Sequence, residues 1–147
     1  MRPGDGDGAY EVLCSSLDEY FAREVLDYFM MQWPAGSFVA VDYAGRIMGY
    51  IAGSRLQNGR AAVSLLCVNQ LVRGRGVGES LLAHLRQAAR MEGIRTIQLE
   101  VRTTNTEAIR FYERRGFKPV ESLPRFYNDG GDGIRMISSS SESLSNS

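Results

Sequence analysis

The amino-acid sequence predicts an α/β (α+β) fold in a single domain, with a mixed, mostly antiparallel sheet flanked by helices. Three observations predict this class. Apolar residues recur with a helical period in several segments, short apolar runs rich in β-branched residues alternate with those segments, and hairpin signals connect the early strands. The length of 147 residues suits one domain that can bury a sizeable core.

The first half of the chain predicts one helix and three strands. Apolar residues at steps of four from Leu17 to Phe29 predict an amphipathic helix over 17–32. Three runs with strand composition follow: 37–42, 46–56 and 61–71. The pairs Ala44–Gly45 and Asn58–Gly59 separate these runs, and Asn-Gly is typical of a tight hairpin turn. We therefore expect the three strands to pair antiparallel.

The second half predicts two helices and three further strands. An apolar stripe over 81–89 predicts a helix that stops at Gly93. Thr104 and Glu107, three residues apart, predict a capping box for a helix over 104–115. The remaining strands are expected at 95–101, 117–123 and 132–137. The Ser-rich segment 138–147 has almost nothing apolar to bury, so we expect a domain over 1–137 followed by a disordered tail.

Charge and cysteine usage bound the class of function. Lys plus Arg and Asp plus Glu number 17 each, and without a basic excess no nucleic-acid partner is expected. No apolar run approaches the ~20 residues of a membrane helix, and the N-terminal residues lack the apolar core of a signal peptide, so no membrane contact is expected. Cys14 and Cys67 lie in apolar stretches and are interpreted as buried thiols of a cytoplasmic protein.

A glycine-rich loop over 73–78 joins a predicted strand to a predicted helix. Its three glycines can point several N–H groups into one concavity, the helix adds its positive end, and Arg73 and Arg75 add charge, all of which favour a phosphate group. A Walker loop is excluded because its lysine is missing. A dinucleotide fingerprint lacks its third glycine, where Glu79 stands, although Glu100 lies where the ribose-binding acid would be. The pattern [QR]xxGx[GA] is complete, and a glycine-rich turn without a ligand is the other alternative.

Three blocks of the sequence resemble, in order, the core of the GNAT superfamily of acyl-CoA-dependent N-acyltransferases. They are the glycine-rich loop, the segment Glu100–Asn105 and the pattern A-x-x-x-Y-x-x-x-G-F over Ala108–Phe117. The resemblance extends to the RimI-type and the archaeal or eukaryotic catalytic subunits that acetylate protein amino termini. Leu17–Phe21 resembles their L-P-E-N-Y loop, and Arg125–Gly130 resembles their K-Y-Y-x-D-G segment. Everything but the Ser-rich tail is covered, although the family's first strand is expected to be short or missing.

The resemblance implies an enzyme that transfers an acetyl group from acetyl-CoA to the N-terminal α-amine of proteins, ribosomal proteins among them. It implies acetyl-CoA as cosubstrate, no metal, and an auxiliary subunit or the ribosome as a partner. Two alternatives stay open: acetylation of lysine or small amines, and a non-catalytic regulatory module that binds CoA. An α-amine with a pKa near ~8 needs a weaker base than a lysine near ~10.4, which favours amino termini.

The resemblance also implies the residues that hold the coenzyme. In the predicted strand before the loop, backbone groups would pair with the pantetheine arm like an added strand. The loop amides would bind the pyrophosphate. The implied coenzyme-binding residues are Leu66, Cys67, Val68, Arg73, Gly74, Arg75, Gly76, Val77, Gly78, Glu79, Asn105 and Tyr112.

Catalytic roles are implied for three residues: Tyr112 as the acid for the thiolate, Glu100 as the base, and Glu19 as a second candidate carboxylate. Gln98 and Glu100 alternate along a predicted strand and should share one face. His84 is interpreted as a helix-surface residue and not as the base. The implied peptide-binding residues are Leu17, Glu19, Tyr20, Arg102, Phe126 and Tyr127. Phe126 replaces the first tyrosine of the family's Y-Y pair.

Overall fold

The computed structural model describes residues 28, 31–69, 72 and 74–139. The strands are β1 (Phe38–Val41), β2 (Ile47–Arg55), β3 (Ala61–Val68), β4 (Thr96–Arg102), β5 (Lys118–Leu123) and β6 (Gly133–Ser139). The helices are α1 (Val77–Met91) and α2 (Thr106–Glu113), and a 3-10 turn spans Pro34–Gly36. Apart from residues 28, 31 and 32, the helix predicted over 17–32 lies outside the described residues.

The six strands form one hydrogen-bonded sheet in the order β1-β2-β3-β4-β6-β5. The pairs β1–β2, β4–β6 and β5–β6 are antiparallel, and β3–β4 is parallel. The parallel pair follows from the connection through α1, since parallel neighbours need a crossover. The β3–β4 ladder comprises only two residue pairs, Ala61 with Ile97 and Ala62 with Gln98. The predicted fold class, a mixed and mostly antiparallel sheet with helices, is confirmed.

The chain divides into two compact units. Unit 1 comprises the described residues of 1–55 and 63–93, and unit 2 those of 56–62 and 94–147. Strand β3 contributes its first two residues to unit 2 and the others to unit 1. The glycine-rich loop therefore belongs to unit 1, and the segments after Gly93 belong to unit 2.

Unit 1 brings α1 close to β2 through two glycines four residues apart on that strand. A Cβ atom on Gly49 would lie 3.0 Å from a methyl carbon of Leu81, and one on Gly53 would lie 2.9 Å from a methyl carbon of Leu85. Both leucines are buried. Because the glycines lack side chains, the apolar stripe of α1 packs directly on the strand backbone.

Unit 2 has an apolar and a polar sheet face because successive strand residues point to opposite sides. The apolar face buries Ile97, Leu99, Val101 and Met136, and the core of the unit also contains Tyr112 and Phe117. The polar face of β4 carries Gln98, Glu100 and Arg102. The candidate catalytic carboxylate is thus held on a strand whose other side is packed in the core.

The capping box predicted at Thr104 is wrong by one residue. The N-cap of α2 is Asn105, and its side-chain oxygen accepts a hydrogen bond from the backbone N–H of Ala108 at 3.1 Å. An Asn oxygen satisfies the N–H three residues on as well as a Thr hydroxyl does, so both positions were capable of capping.

The domain boundary predicted after Ile137 falls inside β6. Ser138 pairs with Ile97 and Ser139 pairs with Thr96 in the β4–β6 ladder. Ladder hydrogen bonds join backbone groups and need no apolar side chain. The Ser-rich composition therefore predicted the end of the strand two residues too early.

Candidate active site

The glycine-rich loop turns into α1 through two left-handed residues. Gly74 and Gly76 each have φ of 82°, and Gly76 is the N-cap of the helix. A Cβ at either position would meet no atom within 4 Å. Glycine is therefore favoured by the left-handed backbone conformation and not by a lack of space for a side chain. Arg75 is exposed beside them, and Arg73 lies outside the described residues. The loop offers N–H groups, a helix N-terminus and a positive charge in one segment.

The end of β3 offers backbone groups and little side-chain chemistry. Cys67 is 2% exposed, so the prediction that this thiol is buried is confirmed, whereas Cys14 lies outside the described residues. Leu66 and Val68, on either side of Cys67, are half-buried. These residues lie beyond the two pairs of the β3–β4 ladder. Any ligand at this segment would therefore be recognised mainly through main-chain hydrogen bonds.

Glu100 belongs to a row of charges across three strands of unit 2. Arg135 on β6 lies opposite both Glu100 on β4 and Glu121 on β5. Its Nε donates to Glu100 Oε2 at 2.9 Å and its Nη1 donates to Glu121 Oε1 at 2.7 Å. The hydrogen bond to Glu100 is the main reason why the pKa of Arg135 is raised. One guanidinium thus joins two carboxylates of the polar face.

Glu100 has a second partner on its own strand. The Gln98 side-chain nitrogen donates to Glu100 Oε2 at 2.9 Å, which confirms that the two residues share a face. Gln98 is 8% exposed, and its Oε1 accepts from Arg60 Nη1 at 3.2 Å. Both hydrogen bonds to Glu100 among the described residues therefore end on the same oxygen. This arrangement fixes the orientation of the carboxylate.

Tyr112 is a buried aromatic of α2. Its ring packs edge to face with the rings of Phe111 and Phe117, at centroid distances of 5.2 and 5.4 Å. Only 8% of the residue is exposed. Its backbone carbonyl accepts the N–H of Phe117 at 3.0 Å. Packing on two rings and a backbone hydrogen bond fix the ring position, as a catalytic phenol would require.

Three of the implied peptide-binding residues lie together in unit 2. The guanidinium carbon of Arg102 lies 4.1 Å from the centroid of the Tyr127 ring, and the Phe126 and Tyr127 rings meet edge to face at 5.0 Å. Arg102 Nη1 also donates to Asp129 Oδ1 at 3.1 Å. Phe126 is 44% exposed. The three form an amphipathic cluster, here called the aromatic cluster, at the loop between β5 and β6.

The loop that supports the aromatic cluster is held by its own hydrogen bonds. The N–H of Tyr127 donates to the carbonyl of Gly131 at 3.1 Å, and the N–H of Gly131 donates to Asp129 Oδ1 at 2.9 Å. This last hydrogen bond, followed by the one from Arg102, lowers the pKa of Asp129. The aspartate is therefore a stable anion that positions Arg102 over Tyr127.

Some predicted residues stay outside this geometry. Leu17, Glu19 and Tyr20 are not among the described residues, and their roles stay predictions. His84 is exposed on α1, which confirms its predicted position on the helix surface. Its Nδ1 lies 2.8 Å from the carbonyl oxygen of Ser80. Sequence reasoning missed Arg135 and Glu121. The only signal in the sequence was Arg135 itself, a lone arginine in the apolar run of β6.

With the peptide-binding role that the resemblance implies for the aromatic cluster, Gly131→Ala is expected to raise the KM for the acceptor peptide about tenfold, the cost of one charge-assisted hydrogen bond. A Cβ at this position would lie 2.5 Å from Arg102 Nη1 and would displace the guanidinium from Asp129 and Tyr127. Steady-state kinetics with a peptide series measures the effect. In an Arg102→Ala background the same substitution should change KM no further, and an equal change there would contradict the contact.

Two features of the described residues concern ligands and membranes. No group of three or more His, Cys, Asp or Glu side chains that could hold a metal ion occurs in this part of the chain. No helix within the same residues is long and apolar enough to cross a bilayer.

Comparison with known proteins shows similarity over most of the chain. The sequence model of the Acetyltransferase (GNAT) family matches residues 7–117. N-alpha-acetyltransferase 30 of Schizosaccharomyces pombe is 32% identical over 130 residues, which are 86% of this chain and 87% of that protein.

Solved structures have the same fold. Ard1 from Thermoplasma volcanium has a TM-score of 0.87 and 32% identity, covering 93% of this chain and 92% of that one. A chain of the NatC complex bound to Gag peptide and CoA has a TM-score of 0.82 and 25% identity, covering 94% and 92%. The family match over residues 7–117 includes the three sequence blocks.

Proposed function

Since this chain belongs to the GNAT family of acetyltransferases, we propose that it transfers an acetyl group from acetyl-CoA to the N-terminal α-amine of proteins. The observation that carries the acceptor class is the aromatic cluster, in which Arg102, Phe126 and Tyr127 meet. Two of its residues come from the segment that resembles the peptide-binding part of amino-terminal acetyltransferases. The similarity to an N-alpha-acetyltransferase over most of both chains supports the same acceptor.

In this proposal, the glycine-rich loop and the end of β3 bind the coenzyme. The amides of residues 74–79 and the charges of Arg73 and Arg75 bind the pyrophosphate, and the backbone of Leu66–Val68 binds the pantetheine arm. The left-handed turns at Gly74 and Gly76 support this role because they expose consecutive N–H groups at the start of α1. The crystallised NatC complex, one chain of which has the same fold, was bound to CoA.

Asn105 also contacts the coenzyme in this proposal, but only one of its two side-chain polar atoms is available for that contact. Its side-chain oxygen accepts the Ala108 N–H as the helix cap. The side-chain nitrogen is therefore the atom with which Asn105 would contact the pantetheine arm, as a donor to a carbonyl. An Asp at this position would keep the cap and lose that donor.

Tyr112 and Glu100 carry the proton transfers. As the new C–N bond forms and the C–S bond breaks, Glu100 takes a proton from the amine through water, and the Tyr112 hydroxyl gives a proton to the departing thiolate. A phenol with a pKa near ~10 suits a thiolate leaving group of similar basicity. The orientation of Glu100 by Gln98 and Arg135 supports a defined role for this carboxylate.

The acceptor enters beside the aromatic cluster in this proposal. Phe126 and Tyr127 provide an apolar contact for the first residues of the peptide, and Leu17, Glu19 and Tyr20 complete its binding. Because Glu19 would contact the substrate and not the reacting bond, we assign it to the ranking of peptides. An auxiliary subunit or the ribosome presents the nascent chain, as the assembly of the similar NatC chain into a complex supports.

The experiment compares peptides with free and blocked amino termini. We expect turnover with acetyl-CoA for free peptides varied at their first two residues, and none for the same peptides carrying a formyl block and an internal lysine. Mass spectrometry locates the acetyl group. Equal reaction of the blocked peptides at lysine would replace the proposal by a lysine acetyltransferase. Coenzyme binding without turnover of any peptide would favour a regulatory module.

A further inference from the structure

Arg135 stands between two carboxylates that lie on different strands. It donates from Nε to Glu100 and from Nη1 to Glu121, at 2.9 and 2.7 Å. The Arg135 and Glu100 side chains are 28% and 23% exposed, whereas the Glu121 side chain is 53% exposed. Since screening weakens with burial, the Glu100 half of this bridge should be the stronger one. We call the three residues the carboxylate bridge.

We propose that Arg135 is a positioning residue of the acetyl-transfer reaction, and that its sharing between Glu100 and Glu121 fixes the orientation of the Glu100 carboxylate. This inference rests on the proposed function in one respect, the role of Glu100 as base. Sequence blocks of the resemblance include neither Arg135 nor Glu121. The bridge instead follows from the register of β4, β6 and β5.

The geometry lets Arg135 orient Glu100. Its Nε and the Gln98 amide both donate to Oε2, so the carboxylate plane is held from two directions. Glu121 holds the same guanidinium from the next strand, because its Oε1 accepts from Nη1.

Three other cations lie on or near the polar face of the sheet. Arg102 is two residues from Glu100 on β4, but its guanidinium is engaged by Asp129. Lys118 on β5 lies opposite Ile137, which is two residues from Arg135 on the same face of β6. Arg60 reaches this side through Gln98. Arg135 alone among these cations has a direct ion pair with Glu100 in the described part of the chain.

The test uses variants that change the bridge without touching Glu100. Arg135→Gln removes the charged donor and is expected to lower kcat about tenfold, the effect of one lost hydrogen bond to a charged group, with the KM for the peptide nearly unchanged. Arg135→Lys returns a charged donor and should recover part of the lost kcat. Glu121→Gln keeps an acceptor for Nη1 and is expected to lower kcat about twofold at most, because this residue is largely exposed.

A second measurement needs no turnover. Carbon-13 NMR of the Glu carboxyl groups at neutral pH, with Glu100 assigned from the Glu100→Gln variant, should show the Glu100 signal displaced in Arg135→Gln and displaced less in Arg135→Lys. Thermal melting serves as the folding control, and if Arg135→Gln does not fold, Arg135→Lys still decides, because a single ammonium group cannot reproduce both hydrogen bonds of the guanidinium.

Three results would overturn the proposal: a Glu100 carboxyl signal unmoved in the Arg135 variants, no recovery of kcat in Arg135→Lys, or a raised KM with an unchanged kcat. Full kcat in Glu100→Gln would instead refute the base role assigned to Glu100. In that case the NMR signal alone decides whether Arg135 orients this carboxylate.

Discussion

Tyr112→Phe is expected to lower kcat about 100-fold and to leave the affinity for acetyl-CoA nearly unchanged, as for loss of a general acid. The substitution removes only the hydroxyl. The ring keeps its edge contacts with Phe111 and Phe117, and the backbone hydrogen bond from Phe117 does not involve the side chain. The fold of α2 should therefore persist. Single-turnover kinetics and calorimetric titration with CoA separate the two quantities.

Tyr50→Phe is the matched control for this experiment. Tyr50 is a buried tyrosine of β2 in unit 1, 1% exposed, and it has no role in the proposed reaction. If loss of any buried phenolic hydroxyl slowed the enzyme through destabilisation, both variants would lose kcat alike. Full activity of Tyr112→Phe would show that another group protonates the thiolate.

Gly76→Asp is expected to abolish the thermal stabilisation by acetyl-CoA. At a coenzyme concentration about 100-fold above Kd, the wild-type protein should gain about 2.7 kcal/mol and melt about 5–10 °C higher. A carboxylate on the loop would repel the pyrophosphate. Because a Cβ at Gly76 meets nothing within 4 Å, the fold should bear the side chain at the cost of a left-handed Asp, on the order of 1 kcal/mol. Differential scanning calorimetry measures both the stabilisation by acetyl-CoA and the stability lost through the substitution.

Gly59→Asp reproduces the strain without the charge on the loop. Gly59 has φ of 84°, and its Cβ would also meet nothing within 4 Å, at the turn between β2 and β3. This variant should melt lower without coenzyme and still gain the full shift with it. A lost shift in both variants, or a retained shift in Gly76→Asp, would refute phosphate binding at the loop. Stabilisation by NAD or ATP instead of CoA would contradict the coenzyme.

Local patterns sufficed for most elements of the described chain. Alternation and composition predicted all six strands to within three residues at the ends that the structure describes, and the apolar stripe over 81–89 predicted α1. These features depend on the faces that side chains present every two or 3.6 residues, which is a property of sequence. Element ends were less certain. Asn105 and Thr104 both have capping side chains, and Ser138 joins β6 through its backbone.

The candidate site divides in the same way. The turn at Gly74 and Gly76 was predicted from residue type and spacing, and the roles of Glu100 and Tyr112 were implied by blocks of the sequence that resemble a family and are contiguous. The aromatic cluster needed more, since Arg102 lies 25 residues before Tyr127 and only the β5–β6 loop brings them within 4.1 Å. The resemblance implied each of the three residues separately, but it did not imply that they touch one another.

The sequence by itself determined the helical and strand periodicities and the glycine-rich turn into α1, and its resemblance to a family implied the residues of acetyl transfer. Tertiary structure alone decided that Arg135, 35 residues beyond Glu100, bridges it to Glu121. Strand order 4-6-5 inverts the chain order, and register then selects which charges face each other. Charge pairing acts through space over a few ångströms, while sequence periodicity reports only the face on which a residue lies.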